Sequence, residues 1–203
     1  MDGKLVAFAP AGLTTYTIPD GVTTIGKRAF SSCSSLTSIT IPDGVTTIGS
    51  YAFFSCRSLT SITLPESLTT IGEMAFYGCE RLTSITIPDG VTTIGIRAFY
   101  SCSSLTSFVG KYTSSDQRCL VMDGKLMAFA PAGLTTYTIP DGVTTIGSYA
   151  FQLCSSLTSI TIPDGVTTIG NGAFSSCRSL TSITLSESLT TIGEMAFYGC
   201  ERL

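Results

Sequence analysis

The sequence predicts an α/β repeat solenoid. In this architecture short coils stack with a parallel β-sheet on one side and short helices or 3-10 turns on the other. Three observations lead there. Cys33, Cys56, Cys79 and Cys102 fall 23 residues apart, and Cys154, Cys177 and Cys200 resume the interval. Ile18, Ile41, Leu64 and Ile87 keep the same step, as do Ile139, Ile162 and Leu185. Residues 1–82 also align with 122–203 at an offset of 121, with nine differences in 82 positions. A fixed period of about 20–50 residues marks folds whose units bury a core only against their neighbours.

One unit, residues 36–58, reads LTSITIPDGVTTIGSYAFFSCRS. Leu36, Ile39 and Ile41 fit a strand with Ile39 and Ile41 on one face and Ser38 and Thr40 on the other. Pro42-Asp43-Gly44 turns the chain. Val45 to Ile48 forms a second short extended piece, which Gly49 ends. Ala52, Phe53, Cys56 and Leu59 then fall on one face of a short helix. Each large apolar side chain contributes roughly 1.5–3 kcal/mol on burial, whereas ordering each residue costs about 1.5 kcal/mol. A lone coil loses that comparison. Stacked coils, with strands about 4.8 Å apart, cover each apolar face on both sides, and eight to nine of them make a rod of about 40 Å.

The predicted repeats lie near 13–35, 36–58, 59–81, 82–104, 134–156, 157–179 and 180–203, in one solenoid domain spanning 1–203. Between them, 105–133 is longer and irregular, since 121 equals four steps of 23 plus 29. Asp123-Gly124 between two apolar runs predicts a β-hairpin insert. Residues 1–9 resemble its second strand. Both ends read as cut from a longer array. Open ends of a cut solenoid expose sheet edges, so end-to-end self-association or capping by a partner is expected.

Composition narrows the function classes. Charged residues make up 12% and the net charge is −3, which excludes the basic patch of a nucleic-acid binder. The sequence has no His, so neither a Ser-His-Asp nor a Cys-His catalytic set can be assembled, and the commonest zinc ligand is missing. No apolar run approaches the roughly 20 residues of a membrane-spanning helix. Met1-Asp2-Gly3-Lys4 leads into mixed sequence rather than an apolar leader, so the chain is expected to be a mature fragment or an expressed piece. No catalytic residue, cofactor or metal is expected.

The repeat I-P-D-G-V-T-T-I-G-x-x-A-F-x-x-C-x-S-L-T-S-I-T resembles the BspA-like class of leucine-rich repeats, and so does the hairpin insert with its F-A-P-A-G-L at 129–134. The resemblance implies a right-handed coil stack. It also implies a cell-surface or secreted protein of a host-associated bacterium or mucosal protozoan. Adhesion to host or neighbouring-cell proteins is its expected work, and the class shares no catalytic site.

Four sets of residues are candidates for function. The seven periodic cysteines read as a core column, with Cys119 the odd thiol, although eight cysteines could also form disulfides. Asp20, Asp43, Glu66, Asp89, Asp141, Asp164 and Glu187 read as turn residues, with calcium between coils as the alternative. Ser38, Thr40, Ser61, Thr63, Ser84, Thr86, Ser159, Thr161, Ser182 and Thr184 form rows on the outer sheet face. In leucine-rich repeats that face commonly binds. Here its regular hydroxyls suit solvent, or else an ordered lattice such as ice or a repetitive glycan. Arg28, Tyr51, Arg57, Tyr77, Arg81, Arg97 and Tyr100 lie on the opposite, convex side, where seven of the nine differences fall. Tyr and Arg are good interface anchors. The leading expectation is an interaction or adhesion scaffold with a protein partner. The alternatives are a spacer that presents another domain and a glycan or lattice binder.

Overall fold

Alternating Thr, Ser and Ile in each repeat produce short parallel strands that pair in register from coil to coil. The computed structural model describes residues 3–7 and 12–203, in two units, Met1–Tyr112 and Thr113–Leu203. The first unit contains β1 (Lys4–Leu5), β2 (Thr15–Thr17), β3 (Thr24–Ile25), β4 (Ser38–Thr40), β5 (Thr47–Ile48), β6 (Thr70–Ile71), β7 (Ser84–Thr86), β8 (Thr93–Ile94) and β9 (Ser107–Val109). The second contains β10 (Cys119–Met122), β11 (Lys125–Phe129), β12 (Thr136–Thr138), β13 (Thr145–Ile146), β14 (Ser159–Thr161), β15 (Thr168–Ile169), β16 (Ser182–Thr184) and β17 (Thr191–Ile192).

Each unit is a β-solenoid of stacked coils with two parallel ladders. The ladder expected from Ser-Ile-Thr joins β2 to β4 and β7 to β9, with an isolated bridge from Thr40 to Thr63, and in the second unit it runs β12-β14-β16. A second ladder, built from the short Thr-Ile pieces, is longer. It runs β1-β3-β5-β6-β8 in the first unit and through β11-β13-β15-β17 in the second. β-Branched Thr suits these strands, and the hydroxyl of the Thr just before each strand adds a further link. Thr46, Thr69 and Thr92 donate through Oγ1 to the carbonyls of Thr23, Thr46 and Thr69 at 3.3, 3.1 and 3.4 Å.

The expected short helices are absent: no helix of either kind forms among the described residues. The amides on that side have other partners. Tyr51, Phe53 and Ser55 donate to the carbonyls of Glu73, Ala75 and Tyr77 in the next coil at 2.8, 2.7 and 2.7 Å. The amides between them close four-residue turns, Ala52 onto Gly49 at 3.2 Å and Phe54 onto Tyr51 at 3.1 Å. Two residues per coil also take left-handed backbone, Tyr51 (φ 61°) and Ser55 (φ 56°) here, and Arg28, Ser32, Met74, Gly78, Arg97 and Ser101 in neighbouring coils. A right-handed helix cannot pass through them. Ala52, Phe53, Cys56 and Leu59 are nevertheless fully buried, so their spacing marked an inward face correctly and only its backbone was misread.

Coil-to-coil bonding brings the backbones close. A Cβ on Gly72 would lie 2.5 Å from the Ser50 nitrogen. Inside, Phe30, Phe53, Phe76 and Phe99 stack at 5.2, 5.3 and 5.5 Å, within 6° of parallel, and Phe108 meets Phe99 edge-on at 5.3 Å. Phe151, Phe174 and Phe197 repeat the stack at 5.0 and 5.4 Å. The cysteine column lies beside it. All eight cysteines are free thiols, seven of them buried. Cys56, Cys79 and Cys102 donate through Sγ to the carbonyls of Phe30, Phe53 and Phe76 at 3.1, 3.3 and 3.2 Å. The thiol therefore fills core volume and also donates one weak hydrogen bond to the preceding coil.

The hairpin forms where Asp123-Gly124 predicts it. β10 and β11 pair antiparallel, with a register shift between Leu120 and Val121. Asp123 (φ 49°) and Gly124 (φ 74°) both adopt the positive φ of a tight hairpin turn. Of the strand expected over 1–9, β1 is present and pairs parallel with β3. Residues 1, 2, 8 and 9 lie outside the described residues.

Two outcomes follow from coil contact. Gly72→Ala forces backbone apart and should lower stability by about 1–3 kcal/mol, read as a reduced urea midpoint. An unchanged midpoint would mean that the coils are not in such close contact. Phe53→Ala opens the middle of the ring stack and should cost about 3–5 kcal/mol, whereas Thr40→Ser on the outer face should stay within about 0.5 kcal/mol.

Candidate functional site

With the interior filled by apolar side chains, function falls to the outward groups, and these occupy two faces. On the sheet face the in-register pairing aligns Ser159 with Ser182 and Thr161 with Thr184, and Ser84 with Ser107. Thr40, Ser61, Thr63, Ser84, Thr86, Ser182 and Thr184 are exposed, while Ser38, Ser159 and Thr161 are half-buried. Thr40 and Thr63 meet at the isolated bridge, so Ser61 and Thr63 lie outside any named strand. Neighbouring Thr37, Thr60 and Thr106 direct their hydroxyls to the carbonyls of the preceding coil.

In the second unit this face carries a shallow depression of 350 Å³ lined by Asp116, Thr136, Tyr137, Thr138, Ser159 and Thr161. Asp116 is held by its surroundings. Its Oδ1 accepts from the Ser114 hydroxyl and, at 3.1 Å, from the Arg118 amide, and its Oδ2 accepts from the Tyr137 hydroxyl at 2.9 Å. Partial burial pushes the carboxyl up, but these donors outweigh it and hold Asp116 below its ordinary value. Tyr137 Oη also lies 3.1 Å from Cys119 Sγ. Burial pushes the Cys119 thiol up to about 12, so Cys119, the odd thiol of the sequence, is buried and inert. The Arg118 guanidinium is engaged by the carbonyls of Ala130 and Ala132 at 3.3 and 2.8 Å.

On the turn side of the first unit the structure gathers most of the expected Tyr and Arg residues. Phe54 stacks on Tyr77 at 4.7 Å, Tyr77 meets Tyr100 at 4.6 Å, and Tyr51 tilts against Phe54 at 5.8 Å. Arg28 lies 5.2 Å over the Tyr51 ring, with Lys27 at 6.0 Å, and Arg97 lies 5.8 Å over Tyr100. Burial and the neighbouring Tyr77 push the Tyr100 phenol up. Arg57 stands apart in an exposed ion pair with Glu80 at 3.5 Å, a type of pair that adds little stability. Arg81 is exposed and takes no part in the ring contacts.

Sequence reasoning missed Asp116, Tyr137, Lys27 and Phe54. Asp116 lies in the one stretch that no repeat predicts. Tyr137 carried a signal, since it stands where Ile160 and Ile183 stand in the next coils. Phe54 and Lys27 are both among the nine differences between the long copies. The acidic residues Asp20, Asp43, Glu66, Asp89, Asp141, Asp164 and Glu187 are all exposed. Among the described residues no three His, Cys, Asp or Glu groups come together as they would around a metal ion.

Comparison with known proteins fits this architecture. No curated protein matches the sequence. A leucine-rich repeat protein from Bacteroides ovatus is 31% identical with a TM-score of 0.52, and one from Eubacterium ventriosum is 28% identical with a TM-score of 0.72. Each alignment covers 94% of this chain but only 65% and 59% of those chains, so this chain spans less than two thirds of their length. The pneumococcal vaccine antigen PcpA shares the fold at 24% identity and a TM-score of 0.67, over 92% of this chain and 54% of that one. The model of the BspA type leucine rich repeat region matches six copies, over residues 5–117 and 125–203. That covers nearly the whole chain, which therefore belongs to the BspA-type leucine-rich repeat family.

Proposed function

We propose that this chain is a non-enzymatic scaffold that works at the cell surface or after secretion and adheres to proteins of a host or a neighbouring cell. The supporting observation is the in-register repetition of outward side chains over an interior of stacked apolar rings. Equivalent groups held at fixed steps on an ordered surface bind weakly one by one and strongly together. The family is one of bacterial repeat proteins, and the buried thiols with raised pKa fit a structural role better than a nucleophilic one.

A second reading is favoured by the depression at Asp116, where a carboxylate and several hydroxyls face solvent together. That set of acceptors and donors suits the vicinal hydroxyls of a glycan.

Beads coated with the full chain should adhere to cultured epithelial cells or partner bacteria above albumin-coated beads. Brief protease treatment of the target surface should abolish the adhesion. Loss on deglycosylation but not on proteolysis would overturn the protein reading in favour of glycan binding. In that event Asp116→Asn should lower glycan affinity by about ten-fold. Adhesion no better than albumin would overturn both.

A further inference from the structure

The turn side of the first unit carries a strip that the fold does not require. Its rings, Tyr51, Phe54, Tyr77 and Tyr100, are half-buried. They lie against one another, face to face from Phe54 to Tyr77 and tilted elsewhere, so mostly their edges and phenol groups remain to face outward. The edge of an aromatic ring is the positive part of its quadrupole. Cations stand at both ends, Lys27 and Arg28 beside Tyr51 and Arg97 beside Tyr100. Glu73 is the one carboxylate in the same row as Lys27, beside Ser50 and Ile96. The strip is thus positive at its ends on a chain whose net charge is −3.

The second unit repeats residues 1–82, which hold the Lys27, Arg28, Tyr51, Phe54 and Tyr77 positions of the strip, and it keeps Tyr198 in the place of Tyr77. The counterparts of Lys27, Arg28, Tyr51 and Phe54 are Ser148, Tyr149, Gly172 and Ser175. Tyr149 lies across Gly172, in the space that a side chain there would enter, and Ser175 is buried. Four of the nine differences therefore fall on one strip, where they remove two cations and the rings at 51 and 54 and place a Tyr at the Arg28 position, whereas the stacked Phe and Cys positions are identical in both copies. Two near-duplicate sequences keep the interior and part company at this face. A structural requirement would have preserved the rings at 51 and 54 in both copies.

From this juxtaposition, and resting on the scaffold reading above, we infer that the strip is the specificity-bearing contact of the chain and that it takes an acidic, extended protein segment. Arg28 and Arg97 are three coils apart, roughly 15 Å at about 4.8 Å per coil. An extended chain covers that span in about four to five residues. The fitting partner has carboxylates at that separation with an apolar or aromatic stretch between them. The carboxylates pair with the terminal cations, and the stretch between packs on the ring edges. Tyr and Arg anchors of this kind concentrate binding energy.

The test uses the full chain and a variant in which Lys27→Ser, Arg28→Tyr, Tyr51→Gly and Phe54→Ser install the residues that the second unit already accommodates. A random dodecapeptide library displayed on phage is selected on the unaltered chain. Enriched peptides should carry acidic residues about four to five positions apart, bind the variant at least about ten-fold more weakly, and lose affinity as salt rises. A charge-only variant, Lys27→Ser with Arg97→Gln, should weaken the same peptides while its melting temperature stays near that of the parent, which separates binding from folding. Peptides that bind parent and variants alike would overturn the inference and leave the scaffold reading standing. Enrichment of basic or uncharged sequences, or no enrichment, would also overturn it. Failure of the bead adhesion, by contrast, strikes the scaffold reading itself.

Discussion

Hydrogen bonding from the backbone of one coil to the backbone of the next constrains every other feature of this protein. It runs along the two strand ladders, and it also runs along the turn side, where Tyr51, Phe53 and Ser55 donate to Glu73, Ala75 and Tyr77. A helix on that side would satisfy its own amides and leave the coils joined by side chains alone. Here the amides reach across, and the cost is two left-handed residues per coil, on the order of 1 kcal/mol each. Close approach then demands Gly at 72, stacks the phenylalanines at 5.2 to 5.5 Å, and brings the Cys56, Cys79 and Cys102 thiols within reach of the carbonyl one coil back. Cys has the right size and also a donor, which Ala lacks.

Much of the fold was legible because burial repeats with sequence. Leu36, Ile39, Ile41, Val45, Ile48, Phe53 and Cys56 were all placed inward, and all are buried. The Asp123-Gly124 turn was legible because only a few residue pairs tolerate two positive φ values in succession. The turn side was misread because apolar spacing reports which way a side chain points, and a helix and a run of four-residue turns can point the same side chains inward. The left-handed positions hold Arg28, Tyr51, Met74 and Arg97, which carry no turn signature. The second position is more telling, with Ser32, Ser55, Gly78 and Ser101, although Leu153 breaks that pattern. The length of the Thr-Ile ladder was hidden for a similar reason, since two residues per coil are too few to declare a strand alone.

The outer surfaces were legible in part. Repetition identified the hydroxyl rows directly. It also pointed to Tyr51 by showing where the two long copies differ, but the contacts among the rings depend on coil spacing and needed coordinates. Asp116 could not be found by comparing repeats, because it lies in the single irregular stretch. Its importance comes from Ser114, Arg118 and Tyr137 converging on one carboxylate. A periodic interior therefore leaves two kinds of place for individuality, the exposed turn positions and the interruption between arrays. The candidate surfaces of this chain include one of each.

Native-state hydrogen exchange tests the coil-to-coil account most directly. On the turn side of the first unit, the amides of Phe30, Tyr51, Phe53 and Phe76, which donate to the next coil, should exchange slowest, at or near the rate set by global unfolding. Protection should be greatest in the middle coils and fall toward the outer ones. If instead Ala52 and Phe54, which close turns within their own coil, proved as protected as Tyr51 and Phe53, with equal protection in every coil, each repeat would be holding itself together and the account would be wrong.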